Sequence, residues 1–192
     1  RLVAALKQVR DDGPKAVEYD DRFEDLFFVL EHRLTEIAGD EAVGNMHVAL
    51  SRNDLDTTMY RLVLRQEVLE IGTLLACLRR TLLDAAEEHV TTVMPAYTHG
   101  QQAQPTTLGH YLAAVEAEFA KDHERLLAMW PRLNRSPMGA AALATSGYPV
   151  DREFVAELLG CDGLVENSYE AVASADFSAE YATWALLWLG HV

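Results

Sequence analysis

Cysteine is scarce in this chain of 192 residues, which contains only Cys77 and Cys161. The two are far apart and lack the short spacings of metal sites and redox motifs, so they predict no disulfide framework. No apolar run approaches the ~20 residues that a transmembrane helix needs, and no signal-peptide pattern opens the chain. We therefore expect a cytoplasmic protein.

Basic residues are also few: 16 Lys and Arg stand against 30 Asp and Glu, for a formal net charge of −14. Proteins that bind nucleic acids or anionic membranes need a basic face that attracts phosphates. The charge therefore argues against both kinds of partner. The hydrophobic share of 49% and the charged share of 24% are those of an ordinary soluble globular protein.

Strand signals are absent, since there is no alternating run of β-branched residues and no Asn-Gly hairpin turn. From Leu55 to Val90 there is no proline and one glycine, Gly72. About 36 residues at 1.5 Å each predict a helix of roughly 54 Å, which suits a multi-helix bundle shared between subunits. Two apolar stripes give this helix a broad apolar face: Leu55, Met59, Leu62, Leu69, Ala76 and Leu83 in the first, and Leu64, Val68, Ile71, Leu75, Leu78 and Leu82 in the second. The predicted fold class is all-α.

A second long helix is predicted after Pro105, and Pro131 kinks or ends it. Its inward residues are Leu108, Tyr111, Leu112, Val115, Phe119, Leu126, Met129 and Leu133. Asp151 is expected to cap a short helix that ends at Gly160. A last helix is expected to begin between residues 166 and 171 and to run to the end of the chain.

The two ends of the chain indicate a piece of a longer polypeptide. Arg1 stands first instead of a methionine, and the sequence stops within an apolar helical pattern that has no stop signal. We assign residues 1–45 to the end of an N-terminal helical region. Residues 46–192 are assigned to a central long-helix bundle domain that is incomplete at its C-terminus.

Ser51-Arg52-Asn53-Asp54 stands at the start of the first long helix. Ser51 is a typical N-cap, and Asp54 three residues later resembles a capping box with Asp in place of Glu. The same segment suits a carboxylate, because a helix start offers unpaired backbone N–H groups and a partial positive charge. Arg52 adds a planar fork of donors and Asn53 adds an amide donor. The structural and the ligand-binding interpretations are compatible.

Residues 93–110, VMPAYTHGQQAQPTTLGH, connect the two long helices with an unusual density of hydrogen-bonding side chains. For Gln102 and Gln104 we favour a polar loop that satisfies exposed helix ends. For Thr98 and His99 we favour chemistry, because a histidine in a structured turn titrates near neutral pH and can move protons. No pair of His or Cys residues has ligand spacing, so no metal site is predicted. Glu116, Glu118 and Asp122 are interpreted as a solvated or subunit-facing edge.

Four segments together resemble the argininosuccinate lyase branch of the fumarase/aspartase superfamily. They are MHVALSRND (46–54), MPAYTHGQQAQP (94–105), NRSPMGAAALATSGYPVDRE (134–153) and LLGCDGLVENSYEAV (158–172). They follow the order of the family and cover most of the chain. The resemblance implies an all-α bundle whose long helices form the core of a homotetramer, with each active site built by segments of several subunits.

The resemblance also implies a carbon–nitrogen lyase that needs no cofactor and eliminates fumarate from an N-substituted aspartate, argininosuccinate first. Ser51, Arg52 and Asn53 fall on the segment that binds the succinyl carboxylates. Thr98 and His99 fall on the Thr-His segment of the family, in which the histidine takes part in proton transfer or orients the group that does. Gln101 ends the Thr-His-x-Gln pattern of the family and is assigned to substrate binding.

Three departures from the family pattern keep alternatives open. Ala49-Leu50 replaces Gly-Arg, Phe27 replaces a histidine, and residues 173–177 read Ala-Ser-Ala-Asp-Phe where the family has Ser-Asp-Arg-Asp-Phe. One alternative is a related lyase with a different amine leaving group. Another is a non-catalytic, crystallin-like helical assembly module.

Overall fold

The computed structural model describes residues 1–191 and divides the chain into two compact units. The first comprises Arg1–Thr58 and Ser136–Ala173, and the second comprises Met59–Arg135 and Ser174–Val192. The helices are α1 (Leu2–Asp12), α2 (Leu26–Ala38), α3 (Asp40–Met46), α4 (Arg52–Glu88), α5 (Leu108–Leu133), α6 (Arg152–Leu158), α7 (Ser168–Ala173) and α8 (Asp176–Leu189), with a 3₁₀ turn at Pro14–Val17. Two strands, β1 (Val93–Thr98) and β2 (Gln101–Thr107), form one antiparallel hairpin. The predicted long-helix architecture is confirmed. The proposed domain boundary between residues 45 and 46 stays a prediction.

The first unit contains two small apolar clusters. Ala5, Val9, Leu34 and Val43 bring α1, α2 and α3 together, while Ala140, Val165 and Ala171 pack around α7. The chain from Ser136 onward is tied to residues 163–165, because the Ser136 N–H donates to the carbonyl of Gly163 and the Val165 N–H donates to the carbonyl of Ser136, both at 2.9 Å. The first unit is thus assembled from segments distant in sequence.

The second unit is a bundle of α4, α5 and α8 around one apolar core. Its buried members are Val68, Leu75, Phe119, Leu126, Met129, Leu133, Phe177 and Trp184. Every member of the second predicted stripe of α4 except the exposed Leu78 faces this core, whereas Met59, Leu69 and Leu83 of the first stripe are exposed. Tyr111, predicted to point inward from α5, is exposed as well. The sequence alone did not distinguish the two stripes.

Helix α4 is 37 residues long, about 55 Å at 1.5 Å per residue. It begins at Arg52, directly after the predicted Ser51 cap. Helix α5 contains Pro131 in its last turn and ends at Leu133. Asp151 caps α6 as predicted, accepting a hydrogen bond from the Phe154 N–H at 2.8 Å.

Two local predictions were wrong. The expected last helix is two helices, because the Ser174 hydroxyl accepts a hydrogen bond from the Asp176 N–H (3.3 Å) and breaks the helical path between α7 and α8. Helix α8 ends at Leu189 rather than running to the end of the chain. The expected interhelix loop is the β1–β2 hairpin, because His99-Gly100 forms a two-residue turn although it is not the usual Asn-Gly pair.

The base of the hairpin is fixed to the helices on either side of it. The Leu108 N–H donates to the carbonyl of Thr92 at 2.9 Å, and the Gly109 N–H donates to the carbonyl of His89 at 3.0 Å. These bonds join the residues after α4 to the start of α5. The hairpin therefore extends from a defined point between α4 and α5.

Candidate active-site segments

Helix α4 begins with a capping box. The Ser51 Oγ accepts a hydrogen bond from the Asn53 N–H at 3.3 Å, and the Asp54 Oδ1 accepts one from the Ser51 N–H at 3.0 Å. The two side chains thereby satisfy backbone donors on both sides of the helix start. The predicted cap is confirmed.

Asp54 does more than cap the helix, a role that its spacing from Ser51 did not predict. Its side chain is fully buried, at 0% relative exposure. Its Oδ2 accepts hydrogen bonds from the N–H groups of Gly139 (3.0 Å) and Ala141 (2.9 Å). Burial raises the pKa of Asp54 above its ordinary value of 3.8, and hydrogen bonds from the N–H groups of Ser51, Ala141, Gly139 and Leu55 oppose this shift only in part.

The Arg52 guanidinium is held by two acids that precede α2. Its Nη2 donates to Glu24 at 2.7 Å and its Nη1 donates to Asp25 at 2.5 Å. Its Cζ lies 5.7 Å from the centre of the Phe28 ring, within the range of a cation–π contact. The Glu24 side chain is 65% exposed, so water weakens this bond and a ligand carboxylate can compete for the guanidinium.

Asn53 is exposed and reaches the segment that Asp54 also holds. Its Nδ2 donates to the carbonyl of Ala142 at 3.4 Å. Residues 51–53 therefore lie beside residues 139–142, although more than 80 positions separate them in the sequence. The segment predicted to bind a carboxylate thus has the backbone of residues 139–142 as its neighbour.

Two of the departures from the family pattern surround this segment. The Phe27 ring meets the His47 ring edge-on at 5.7 Å between centroids, and the His47 Nδ1 pairs with the Glu31 carboxylate. Ala49 has a φ of 58°, in the left-handed region that favours glycine. The alanine is therefore strained at the position where the family pattern has glycine.

Thr98, His99 and Gln101 lie at the tip of the hairpin. Thr98 pairs with Gln101 across the strands, and His99-Gly100 forms the turn with φ values of 51° and 73°. Two positive φ values in a two-residue turn are the pattern of a type I′ hairpin. All three side chains are exposed, so within the chain the hairpin presents them to solvent.

The predicted site residues fall into two groups. Ser51, Arg52 and Asn53 belong to the first unit, where they are contiguous, and Thr98, His99 and Gln101 belong to the second, where they share the hairpin tip. Gln102 and Gln104 are exposed on β2.

The interpretation of the α5 acids as a solvated edge was wrong for Glu116 and Asp122, which are buried. Glu116 accepts a hydrogen bond from Arg79 (2.7 Å), and Asp122 accepts one from Arg125 (2.9 Å). His191 Nδ1 lies 2.7 Å from the second carboxylate oxygen of Asp122. Glu118 is partly exposed and pairs with Lys121 at 2.6 Å. The two buried acids have structural partners within the second unit.

Residues 1–191 contain neither a cluster of potential metal ligands nor a helix that could span a membrane. This part of the chain brings no three His, Cys, Asp or Glu side chains together in a group that could hold a metal ion. None of its helices is both long and apolar enough to cross a membrane.

Comparison with known proteins identifies the family. The sequence model of a family described as lyase matches residues 2–192. The chain belongs to this lyase family. Among curated relatives, argininosuccinate lyase of Ralstonia nicotianae is 48% identical over 190 residues, which are 99% of this chain and 40% of that protein. Argininosuccinate lyase of Methanosarcina acetivorans is 42% identical over 183 residues, which are 95% of this chain and 37% of that protein.

A solved structure has the same fold over almost the whole of this chain. An EDDS lyase in complex with formate superposes with a TM-score of 0.90 at 35% identity, covering 99% of this chain and 37% of that one. The predicted fold class and the resemblance to the argininosuccinate lyase branch are thus confirmed. The chain spans 37% to 40% of the length of these relatives.

Proposed function

We propose that this chain is the part of a carbon–nitrogen lyase that carries the succinyl-binding and proton-transfer segments, and that the enzyme converts argininosuccinate to arginine and fumarate. The observation that carries the proposal is the identity of 42% to 48% with argininosuccinate lyases over almost the whole chain. The Ser51–Asn53 segment at a capped helix start adds a chemically suitable anion site.

The proposed reaction is a β-elimination. A base removes a proton from the carbon next to one carboxylate of the succinyl half, and the electron pair moves into that carboxylate to give an aci-carboxylate dianion. Fixed donors stabilise the dianion, which is the main catalytic demand. The carbon–nitrogen bond then breaks, the double bond of fumarate forms, and an acid supplies a proton to the leaving nitrogen.

The roles proposed for individual residues follow from their donors and positions. Ser51, Arg52 and Asn53 bind the succinyl carboxylates, and Gln101 contributes a further hydrogen bond to the substrate. Thr98 and His99 transfer the proton or orient the group that does. Because the hairpin tip is exposed within one chain, we propose that it completes its site with segments of other subunits.

The proposed assembly is a homotetramer. Exposed apolar residues on α4, among them Leu69, Leu74 and Leu83, support it, because a surface helix of a monomer seldom keeps so many apolar side chains in water. We place the enzyme in the cytoplasm and in arginine biosynthesis. Neither the reaction nor the residues proposed for it require a cofactor, a nucleic acid or a membrane.

A second candidate is a related lyase with a different amine leaving group. The observation in its favour is the apolar character of Phe27 and Leu50, where the family pattern has a histidine and an arginine. These changes remove polar groups near the proposed anion segment. Such a lyase would still release fumarate and would differ in the amine that leaves with it.

The test uses the longest natural polypeptide that contains this chain, here called the natural polypeptide. Incubation with argininosuccinate should give fumarate, followed by its absorbance, and an equal amount of arginine, measured by chromatography. Other N-substituted aspartates are offered in parallel to test the second candidate. A folded oligomer that releases fumarate from none of them would contradict both.

A further inference from the structure

Asp54 is a buried carboxylate that the proposed mechanism does not use. Removing a charge from water is unfavourable unless hydrogen bonds replace the lost hydration. Asp54 receives these bonds from backbone N–H groups: Ser51 donates to one oxygen, and Gly139 and Ala141 donate to the other, at 2.9 to 3.0 Å. The donors come from two segments that lie far apart in the sequence.

The same two segments make a further contact at the surface. The Asn53 amide donates to the carbonyl of Ala142, directly beyond the residues that Asp54 holds. Arg152 also contacts the second segment, donating to the carbonyl of Met138 (3.1 Å), and it donates to the carbonyl of Val165 as well (2.9 Å). The backbone around residues 138–142 is therefore held by hydrogen bonds with both Arg152 and Asp54.

We infer that Asp54 is a positioning residue, which fixes the Ser51–Asn53 segment against residues 139–142 and thereby sets the geometry in which the segment binds a substrate carboxylate. This inference rests on the proposed function. Asp54 itself is buried beneath the segment and does not touch the substrate. Its effect on the reaction passes through the residues that it holds.

The chemistry of the contact requires a carboxylate. Two oxygens offer about four acceptor sites, which suits several N–H donors arriving from two directions. Asparagine has the same shape but one acceptor oxygen, and its NH2 group would face an N–H donor of one of the two segments. Asp54→Asn therefore releases one side of the contact with almost no change in volume.

The experiment compares Asp54→Asn with Asp122→Asn in the natural polypeptide. Asp122 is the matched control, because it is equally buried at 0% exposure and hydrogen-bonded, and it has no part in the proposed site. We expect Asp54→Asn to raise KM and the Kd of fumarate at least tenfold with a smaller change in kcat, as loss of uniform binding predicts. Asp122→Asn should lower the thermal midpoint and leave KM within about twofold.

A second variant approaches the contact from the other segment and covers the case in which Asp54→Asn does not fold. Gly139 has a φ of +80°, and a Cβ added there would lie 2.6 Å from the Arg152 Cγ. Gly139→Ala should therefore displace the 139–141 backbone while leaving Asp54 in place, and it should also raise KM. Asp54→Glu, which retains the charge, should recover part of the lost affinity if Asp54→Asn folds.

The outcomes separate this inference from the proposed function. Normal fumarate release by the unsubstituted protein, combined with equal KM values in the folded Asp54 variant and in Asp122→Asn, would overturn the inference alone. If Asp54→Asn does not fold, an unchanged KM in Gly139→Ala has the same meaning. No fumarate release by the unsubstituted protein would overturn the proposed function and this inference together.

Discussion

At the scale of single residues, two features stand out near the start of α4: the backbone strain at Ala49 and the ion pairs of Arg52. Ala49 occupies the left-handed region two residues before the Ser51 cap, and Arg52 divides its guanidinium between Glu24 and Asp25. Neither feature is visible in residue type alone. Both lead to measurable expectations.

Ala49→Gly should stabilise the protein. The left-handed conformation is unfavourable for a residue with a Cβ, so glycine should raise the free energy of unfolding by about 0.5–1 kcal/mol despite its greater freedom in the unfolded chain. Ala114→Gly is the control, because this exposed helical alanine should lose about 0.5–1 kcal/mol on the same exchange. Urea unfolding of both variants measures the difference, and destabilisation by Ala49→Gly would contradict the strain argument.

Arg52→Leu should lower kcat/KM for the proposed substrate at least roughly tenfold, because a charge-assisted bond to a carboxylate is lost. Glu24→Gln tests the competition for the guanidinium. This variant should lower KM, because Arg52 would keep its charge and lose the Glu24 carboxylate that competes with the substrate for its guanidinium. Steady-state kinetics of both variants measures the effects. An unchanged kcat/KM in Arg52→Leu would show that Arg52 serves only the start of α4.

At the scale of elements, the hairpin and the start of α4 are the two structures that carry the candidate residues. The hairpin depends on a two-residue turn with positive φ at both positions, which His99 and Gly100 supply. The helix start depends on the cap and on the bonds that join α4 to α2. Each element has its own test.

His99→Asn should keep the hairpin and lower kcat by roughly 10²–10⁴, the usual contribution of a positioned acid–base group. Asparagine tolerates positive φ and is common in type I′ turns, so the backbone should not change. KM should change much less, because carboxylate binding is assigned to Ser51, Arg52 and Asn53. Kinetics and a thermal melt on one purified sample test this. A lower melting temperature with nearly normal turnover would instead make His99 a structural residue.

Asp25 should give the connection between α2 and α4 a pH dependence. Partial burial raises its pKa, but hydrogen bonds from Arg52 and from the N–H groups of Phe28 and Phe27 outweigh this effect, and the pKa lies below its ordinary value of 3.8. A lowered carboxyl pKa contributes stability that is present above pH ~4 and lost as the pH falls through the folded-state pKa. The melting temperature of the unsubstituted protein should therefore exceed that of Asp25→Asn at pH 7, and the difference should shrink below pH 4. A difference in melting temperature that stays the same at every pH would contradict the proposed pH dependence.

At the scale of the whole molecule, the chain leaves much of its longest helix without an apolar partner. Leu74 is 69% exposed and Leu69 is 54% exposed, while the second stripe of the same helix packs against α5 and α8. The buried cores of the two units account for only part of the apolar pattern of the sequence. The remaining part predicts contacts between subunits.

Leu74→Glu should weaken the proposed tetramer of the natural polypeptide, because a carboxylate in an apolar interface loses its hydration. Leu74→Met is the control, since it keeps an apolar side chain of similar volume. Sedimentation velocity at several concentrations should show smaller species for the glutamate variant only. A stable, well-folded monomer of the unsubstituted protein would contradict the assembly itself.

Several features of this protein were determined by the sequence alone. The apolar period of 3.6 residues and the absence of proline located α4, and the Ser51–Asp54 spacing identified its cap, because both signals depend on neighbours within one or two turns. The hairpin turn also depends only on adjacent residues, but its sequence is His-Gly rather than the commoner Asn-Gly. The roles of Thr98, His99, Gln101 and the 51–53 segment in catalysis stay predictions.

Only the tertiary structure decided which apolar stripe of α4 is buried, since both stripes consist of apolar residues at helical spacings. It alone showed that Arg52 pairs with Glu24 and Asp25. It also brought Asp54 to the backbone of Gly139, 85 residues away. The physical reason is that hydrogen bonds between distant segments depend on how the chain returns on itself, whereas helix starts and apolar periods depend only on adjacent residues.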